Sequence, residues 1–541
     1  MPDSDHLAPP AWYGSVDWRE VERWLNDGAD PAAHAAPDAL LRLGRFVDAA
    51  DLTSDDARMA QAVQLGERVA ERLSGCDEAV ALYFLGNAHH GRWGYERRTA
   101  PPDRNGWKLM WHSPHAEQTV LSYRKAIVHP AFIDLEPERR CQIHTNLGNA
   151  LSALGLALDA TREYDRALEL VPSFAMARGN RANAMSAYAN SLYDVSDRWI
   201  IYRYALADAA TAATSPDHVE ADAREGFVGL HRRLYATLAP AGGWGGTWRP
   251  FEPSLGDTPD ERAYRRWCLR HRLFLNPLND LGPYPAAAFD TVVPPSITVE
   301  AEEGPPAALG AFNQLKQGFA TARYLLYAGS HRDGTHFSDR DVTLIDTLDF
   351  SSYGYHVEQV KLAFRSLYGL FDQIAFLVNE HFRLGVEPRR VAFRTLWYRK
   401  QDPRKGLRDD VTERQNGALV ALFWLSKDLY EVREGFVDAL QPDAQRLSEV
   451  RNHLEHRYLK VHAVEPDRAA FIPAFRDPLA YSVSRSDLES RSLHLAWLAR
   501  SALMYLGIAI HVEETTHRKR PEGLTMPIFP TVIDDESKRR W

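Results

Sequence analysis

One stretch of the 541-residue chain gathers side chains that can move a proton beside side chains that can hold an anion. It runs Leu447-Ser448-Glu449-Val450-Arg451-Asn452-His453-Leu454-Glu455-His456 and continues to His462. Imidazole, with an ordinary pKa of ~6.5, both accepts and gives up a proton near neutral pH. Guanidinium keeps its proton and presents a planar fork that fits phosphate oxygens. These residue types suit proton transfer at a phosphate ester, with His456 as acid or base, Arg451 as phosphate clamp and Asn452 orienting His456 or the substrate.

The element that must position them is a helix. Leu447, Val450, Leu454, Tyr458 and Val461 are spaced 3, 4, 4 and 3 residues apart, which predicts one apolar stripe on a helix from Ala444 to His462. Asn452 and His456, four apart, then share a face almost opposite the stripe. Arg451 lies about 140° from His456 on an ideal helix, so it joins the same site only by wrapping its side chain or through an irregular turn. The blander reading is a solvated face that also carries Glu455 and Arg457. His453 and His456, three apart, could share a metal, but no third ligand has recognisable spacing and no His-Glu-x-x-His occurs. His462, nearer the stripe, reads as packed or hydrogen-bonded. Asp372 sits in an otherwise apolar turn, where it would support His456 or Arg451 or form a buried ion pair, and Asp428 carries the same two readings. With no P-loop or Rossmann fingerprint, no cofactor is expected.

Arg, a polar residue, three further residues and His, set among long helical patterns, resemble the signature of the HEPN superfamily. The segments YRRWCLRHRLFLNPLNDL and RSLYGLFDQIAFLVNEHF resemble the same family, and the likeness spans Glu261 to Glu514. It implies a metal-independent endoribonuclease, a hydrolase of defence, toxin or stress-response systems, working as a homodimer with two motifs facing each other. The residue chemistry agrees, because RNA cleavage needs a base for the 2′-OH, an acid for the departing 5′-oxygen and a cation for the phosphate. One Arg451/His456 pair holds a single titratable group, and a two-fold axis through the bundle would supply the second.

Leu147, Gly148, Leu151, Ala160, Tyr164, Ala167 and Pro172 fall at the spacings of a helix-turn-helix unit of about 34 residues and resemble a tetratricopeptide (TPR) repeat. His144 stands where the usual Trp would be. A looser copy places Leu85 and Gly86 on one helix and Tyr123, Ala126 and Pro130 on the next, with an insertion from Gly91 to His115 between them. A third, degraded copy runs from Arg178 to Pro216. Stacked copies form a concave surface for a protein or peptide partner. Four glycines and two prolines in Ala241 to Pro253 then break the helical pattern.

The expected fold is all-α: an unassigned extension (1–55), a TPR-like helical-hairpin solenoid (56–241), a linker (242–256), a HEPN-like helical bundle (257–519) and a tail (520–541). In the bundle, helices are expected near 311–329, 355–384, 410–440, 444–462 and 486–514, with Phe289 to Pro306 as an extended connection. Ala418, Leu422, Leu425, Leu429, Val432 and Phe436 alternate four and three residues apart, a seam for core packing or for a dimer. The net charge of -9 opposes a basic nucleic-acid-coating protein, so contact with an RNA substrate must be local. Three scattered cysteines and no apolar leader or 18-residue apolar run argue for a reducing cytoplasm and no membrane. Two functions follow: a ribonuclease whose array senses or docks a partner, or a non-catalytic TPR adaptor whose bundle binds RNA, nucleotide or protein.

Overall fold

The computed structural model describes residues 17–26, 35–100, 107–215, 219, 221–239, 252–300, 306–332, 334–429, 440–442, 444–463, 477–517, 525–528, 533, 535 and 538. Among the described residues helices dominate, with four short strands in two two-stranded sheets. The fold is all-α in class, helical hairpins followed by a helical bundle. Two compact units form: Met1–Tyr188 with Arg203–Thr237 and Leu440–Pro442, and Ala189–Tyr202 with Leu238–Ala439 and Asp443–Trp541.

The first unit is built from α1 (Trp18–Asn26), α2 (Ala36–Leu52), α3 (Asp56–Arg72), α4 (Gly75–Thr99), α5 (Pro114–Val128), α6 (Pro137–Ala153), α7 (Ala157–Leu170), α8 (Ala175–Ser191), α9 (Val195–Thr214) and α10 (Ala221–Leu238), the last turns of α8 and α10 and the first part of α9 counting with the second unit. Glycine decides how closely its hairpins cross. A Cβ on Gly148 would meet the Tyr164 ring at 2.7 Å, and one on Gly86 would meet Tyr123 at 2.5 Å, so each tyrosine packs flat only because its partner has no side chain. Where the usual Trp is missing, His144 Nδ1 lies 2.7 Å from Glu163 Oε2 in a buried pair between α6 and α7. Burial pushes the Glu163 carboxyl up, but Arg166 and His144 outweigh it and hold it down to about 2.

Three expectations for this unit change. The extension before residue 56, unassigned from sequence, packs into this unit: α2 packs on α3 and α4 with Leu43, Phe46 and Val47 buried, and Trp18 of α1 stacks edge-on to Phe46 at 4.9 Å. Much of the insertion is helix, since α4 runs unbroken to Thr99, and Trp93 and Trp111 are buried. Gly179 of the third copy faces Phe227 on α10, beyond the expected end at Pro216.

The second unit contains α11 (Pro259–Arg270), α12 (Ala307–Ser330), α13 (Tyr355–His381), α14 (Gly417–Ser426), α15 (Ala444–His456) and α16 (Arg485–Val512). By composition α16 is long and apolar enough to cross a membrane, yet it is the buried centre against which α12, α13 and α14 pack. Two Arg–Asp pairs pin the irregular segment after α11 onto these helices: Arg500 to Asp280 at 2.7 Å and Arg323 to Asp290 at 2.7 Å. Arg500 also donates to the carbonyls of Phe274 and Asn276, so these buried guanidiniums have their donors satisfied, as burial requires.

The expected helix over 410–440 is broken. One turn, Asp409–Thr412, is followed by α14, capped by Asn416, whose side chain accepts from the Leu419 N–H. Ala418, Leu422, Leu425 and Leu429 of the seam are buried in this unit; Val432 and Phe436 lie outside the described residues. The connection expected from Phe289 to Pro306 contains β1 (Ile297–Glu300), paired antiparallel with β4 (Thr525–Ile528) of the tail. The other sheet pairs β2 (Leu459–His462) with β3 (Tyr481–Ser484) in parallel.

Candidate functional site

The helix predicted to reach His462 ends at His456, and this reshapes the site. Leu447, Val450 and Leu454 are buried as the stripe requires, and α15 packs on α13. Tyr458 and Val461 leave the stripe. Tyr458 is 39 % exposed, while Leu459, Lys460, Val461 and His462 are all buried in β2. A strand normally alternates faces, and this one buries both because its polar side chains find partners.

Those partners come from the loop before α13. Lys460 is paired with Asp349 and lies 3.2 Å from Asp477. Thr347 and Ser351 each donate to Asp349 Oδ1 at 2.6 Å. Burial pushes the Asp349 carboxyl up and the Lys460 ammonium down, but the bonds between them outweigh it, leaving Asp349 below and Lys460 above the ordinary values. His462 donates from Nδ1 to the Asp349 carbonyl at 3.0 Å, and its Nε2 is 3.0 Å from Ser482 Oγ. His462 is thus packed and hydrogen-bonded.

On α15, Arg451, Asn452 and His453 are half-buried and Glu455 and His456 exposed. Arg451 wraps as its angular position demands: its Nη1 donates to Asn452 Oδ1 at 3.2 Å, and its guanidinium carbon lies 5.3 Å from the centre of the Tyr368 ring on α13. A cation over a ring face is held by the ring quadrupole, which leaves further N–H groups of the guanidinium for an anion. His456 makes no hydrogen bond to a described residue. The structure therefore brings Arg451 and Asn452 together and places His456 in solvent on the last turn of the same helix.

His453 turns away from His456. Its Nδ1 is 2.8 Å from the Glu449 carbonyl and its ring stacks on Tyr481 at 4.9 Å. A carbonyl only accepts, so Nδ1 carries the proton. Burial and Glu449 push the Tyr481 hydroxyl up to about 12. Asp372 is exposed and accepts the Phe393 N–H at 3.0 Å, holding the chain that follows α13 rather than Arg451 or His456. Asp428 is buried in the turn after α14, where its N–H donates to the Leu425 carbonyl. Sequence reasoning missed Tyr368 and the Lys460–Asp349 pair. Tyr368 has a weak local signal, an aromatic in Leu367-Tyr368-Gly369, whereas the lysine pair has none.

Beside this helix end lies an exposed apolar loop. Leu348 and Phe350 adopt left-handed φ values of 58° and 56° on either side of Asp349, a conformation that residues with a Cβ rarely take. The buried Asp349 holds the turn while Ile345 (81 % exposed), Leu348 and Phe350 (80 % exposed) face solvent. The Ser352 N–H donates to the Val461 carbonyl at 2.7 Å, tying the loop to the strand that leaves α15.

No curated protein matches the chain. The resemblance read from Glu261 onward is met from residue 299, so the segment YRRWCLRHRLFLNPLNDL lies ahead of the matched span. Residues 299–513, which carry α12 to α16 and the whole Arg451–His456 helix, match the family model of the LA2681-like HEPN domain.

Proposed function

We propose that this chain is a metal-independent endoribonuclease of a defence, toxin or stress-response system, with the TPR-like array as sensor or docking platform. One observation carries the reading: in a HEPN-matched bundle, Arg451 is held by Tyr368 and Asn452 on the helix that ends in the exposed His456. In the proposed reaction Arg451 grips the non-bridging oxygens of the scissile phosphate. One imidazole takes the 2′-OH proton, and the 2′-oxygen attacks phosphorus. The bond to the 5′-oxygen breaks as that oxygen receives a proton from a second acid, leaving a 2′,3′-cyclic phosphate and a 5′-hydroxyl.

The second acid is His456 of another copy. Ile345, Leu348, Phe350 and Tyr353 are exposed apolar residues of the loop tied to the strand that follows the motif helix, and they suit a two-fold interface. The test is purified protein with RNA and a chelator, beside His456→Ala. Expected is cleavage that survives chelation, ends in cyclic phosphate and is lost in the variant. Chelator-sensitive cleavage ending in a 3′-hydroxyl sinks the mechanism. The binding-only adaptor draws support from one feature, the absence of any described side chain that orients His456; RNA bound but uncut by the intact chain would select it.

A further inference from the structure

From Arg389 to Asp410, between α13 and α14, the chain carries eight Arg or Lys against three Asp, although its net charge overall is -9. All three carboxylates are engaged. Arg399 grips Asp409 with bonds of 2.7 and 2.8 Å, and Arg408 grips Asp410. Asp402 is held by Arg404 and sits in the field of Lys405. Arg394 is buried and donates to the carbonyls of Ser426 and Lys427. Arg389, Arg390 and Lys400 are exposed and make no ion pair with a described residue. The local surplus of charge therefore has no internal counterweight, and it favours an anion arriving from outside.

The segment is rooted in the core. Trp397 is fully buried with its ring near those of Phe393 and Phe423, and its Nε1 donates to the Phe393 carbonyl at 2.7 Å. The Arg399 N–H donates to the Gly406 carbonyl and the Arg408 N–H to the Trp397 carbonyl, both at 3.0 Å. These bonds close a hairpin whose tip carries Lys400. There Lys400 and Gln401 take left-handed φ values of 55° and 53°, a strain that residues with a Cβ bear mostly at functional sites. The same root leads to the motif helix. Phe393 gives its N–H to Asp372, which lies one turn along α13 from Tyr368, the ring under Arg451. Helix rise and chain reach keep the backbones of Arg390 and Tyr368 within a distance on the order of 20 Å, a few nucleotides of extended strand. Phe376, one turn beyond Asp372, is 43 % exposed and offers a ring on which a base can stack.

We propose that Arg389, Arg390 and Lys400 take backbone phosphates of a single RNA strand that runs along α13 to Arg451, with Phe376 stacking one of its bases. Exposed cations beside an exposed ring read backbone and base face rather than base edges, so the strand is held with little regard to sequence. Charge alone would also admit an acidic protein. The track, however, leads to the phosphate clamp, which a strand of phosphates continues and a run of carboxylates does not. The proposal rests on the ribonuclease reading and names where the substrate lies.

The test is fluorescence anisotropy of a short RNA, 2′-O-methylated so that it cannot be cut, on the full-length protein over a range of salt, with cleavage of the unmodified strand followed alongside. Each phosphate contact on a single strand contributes about 0.7 to the slope of log K against log salt, so the wild-type slope should be at least about 2 in magnitude. A flatter slope overturns the three contacts, and this measurement needs no variant to fold. Arg389→Gln/Arg390→Gln/Lys400→Gln should flatten the slope by about 2 and weaken binding about ten- to a hundredfold at ~0.1 M salt. Arg389→Lys/Arg390→Lys keeps the slope. Phe376→Ala binds about five- to a hundredfold more weakly with the slope unchanged; equal affinity overturns the stacking. A dinucleotide, too short for the track, should be cut equally by wild type and triple variant, whereas a longer strand shows a raised KM in the variant. Equal affinity and slope in the triple variant, with cleavage intact, overturn the track and leave the ribonuclease standing. RNA bound with the expected slopes but never cut overturns the ribonuclease and leaves a binding surface. A polyglutamate of matched charge that binds as tightly overturns RNA as the occupant. RNA bound by neither protein overturns both readings.

Discussion

Arg451 holds its guanidinium over the Tyr368 ring and gives an N–H to Asn452, so it is pre-positioned for the clamp role proposed for it. His456 has no such support among the described residues; in the proposed reaction it moves a proton from a solvent-facing position. His456→Ala is expected to lower cleavage by ~10²–10⁴-fold, with an unfolding free energy within about 0.5 kcal/mol of wild type, as for an exposed side chain without partners. A collapse in thermal stability instead would make the imidazole structural. Arg451→Lys keeps the charge and loses the planar fork; cleavage falling as far as in Arg451→Ala supports the clamp, and full activity in the lysine variant rejects it. Arg451, Asn452 and His456 could be picked out as candidates because their spacing is local. Tyr368 was not, because its role depends on which face of α13 meets α15.

At the scale of elements, the junction of α15 and β2 is set by one buried ion pair. Lys460→Met leaves Asp349 buried without its cation and is expected to cost about 3–5 kcal/mol in urea unfolding. Its pH dependence has a definite sign. Asp349 sits below its ordinary value, so its contribution is full above about pH 3.9 and is lost as pH falls from there. Lys460 sits above its ordinary value, so its contribution is full below about pH 10.4 and is lost as pH rises further. The stability gap between wild type and Lys460→Met should be flat from pH 5 to pH 9, on the order of the window those values define, and shrink at both ends. A gap that stays constant below pH 3 would show that packing of the lysine stem, not charge, holds the loop.

At the scale of the molecule, the proposed ribonuclease needs two copies, and the apolar loop beside the motif offers the surface. Light scattering on the full chain at micromolar concentration should report a dimer. Ile345→Asp with Phe350→Asp, both at exposed positions, should give a folded monomer with cleavage reduced to the level of His456→Ala. A monomeric variant that cleaves at the wild-type rate would remove the composite site and leave each chain self-sufficient. The full chain is the right object for this test, because Ala189–Tyr202 packs with the second unit and a fragment starting in the linker would lack it.

Local periodicity and residue type settled much about this protein: its helical class, the glycine–tyrosine crossings of the hairpins, the buried stripe of Leu447, Val450 and Leu454, and the chemistry available to Arg451 and His456. Tertiary structure alone decided where α15 stops, that the helical pattern from residue 410 breaks between Thr412 and α14, that Lys460 and His462 are buried, and which ring carries Arg451. The physical reason is the range of the forces involved. Spacing reports which face of an element shuns water, and it reads the same for Leu459 to His462 as helix or strand. The choice between them was made by Asp349 and β3, remote in the chain, which supply the hydrogen bonds that a buried lysine and histidine require.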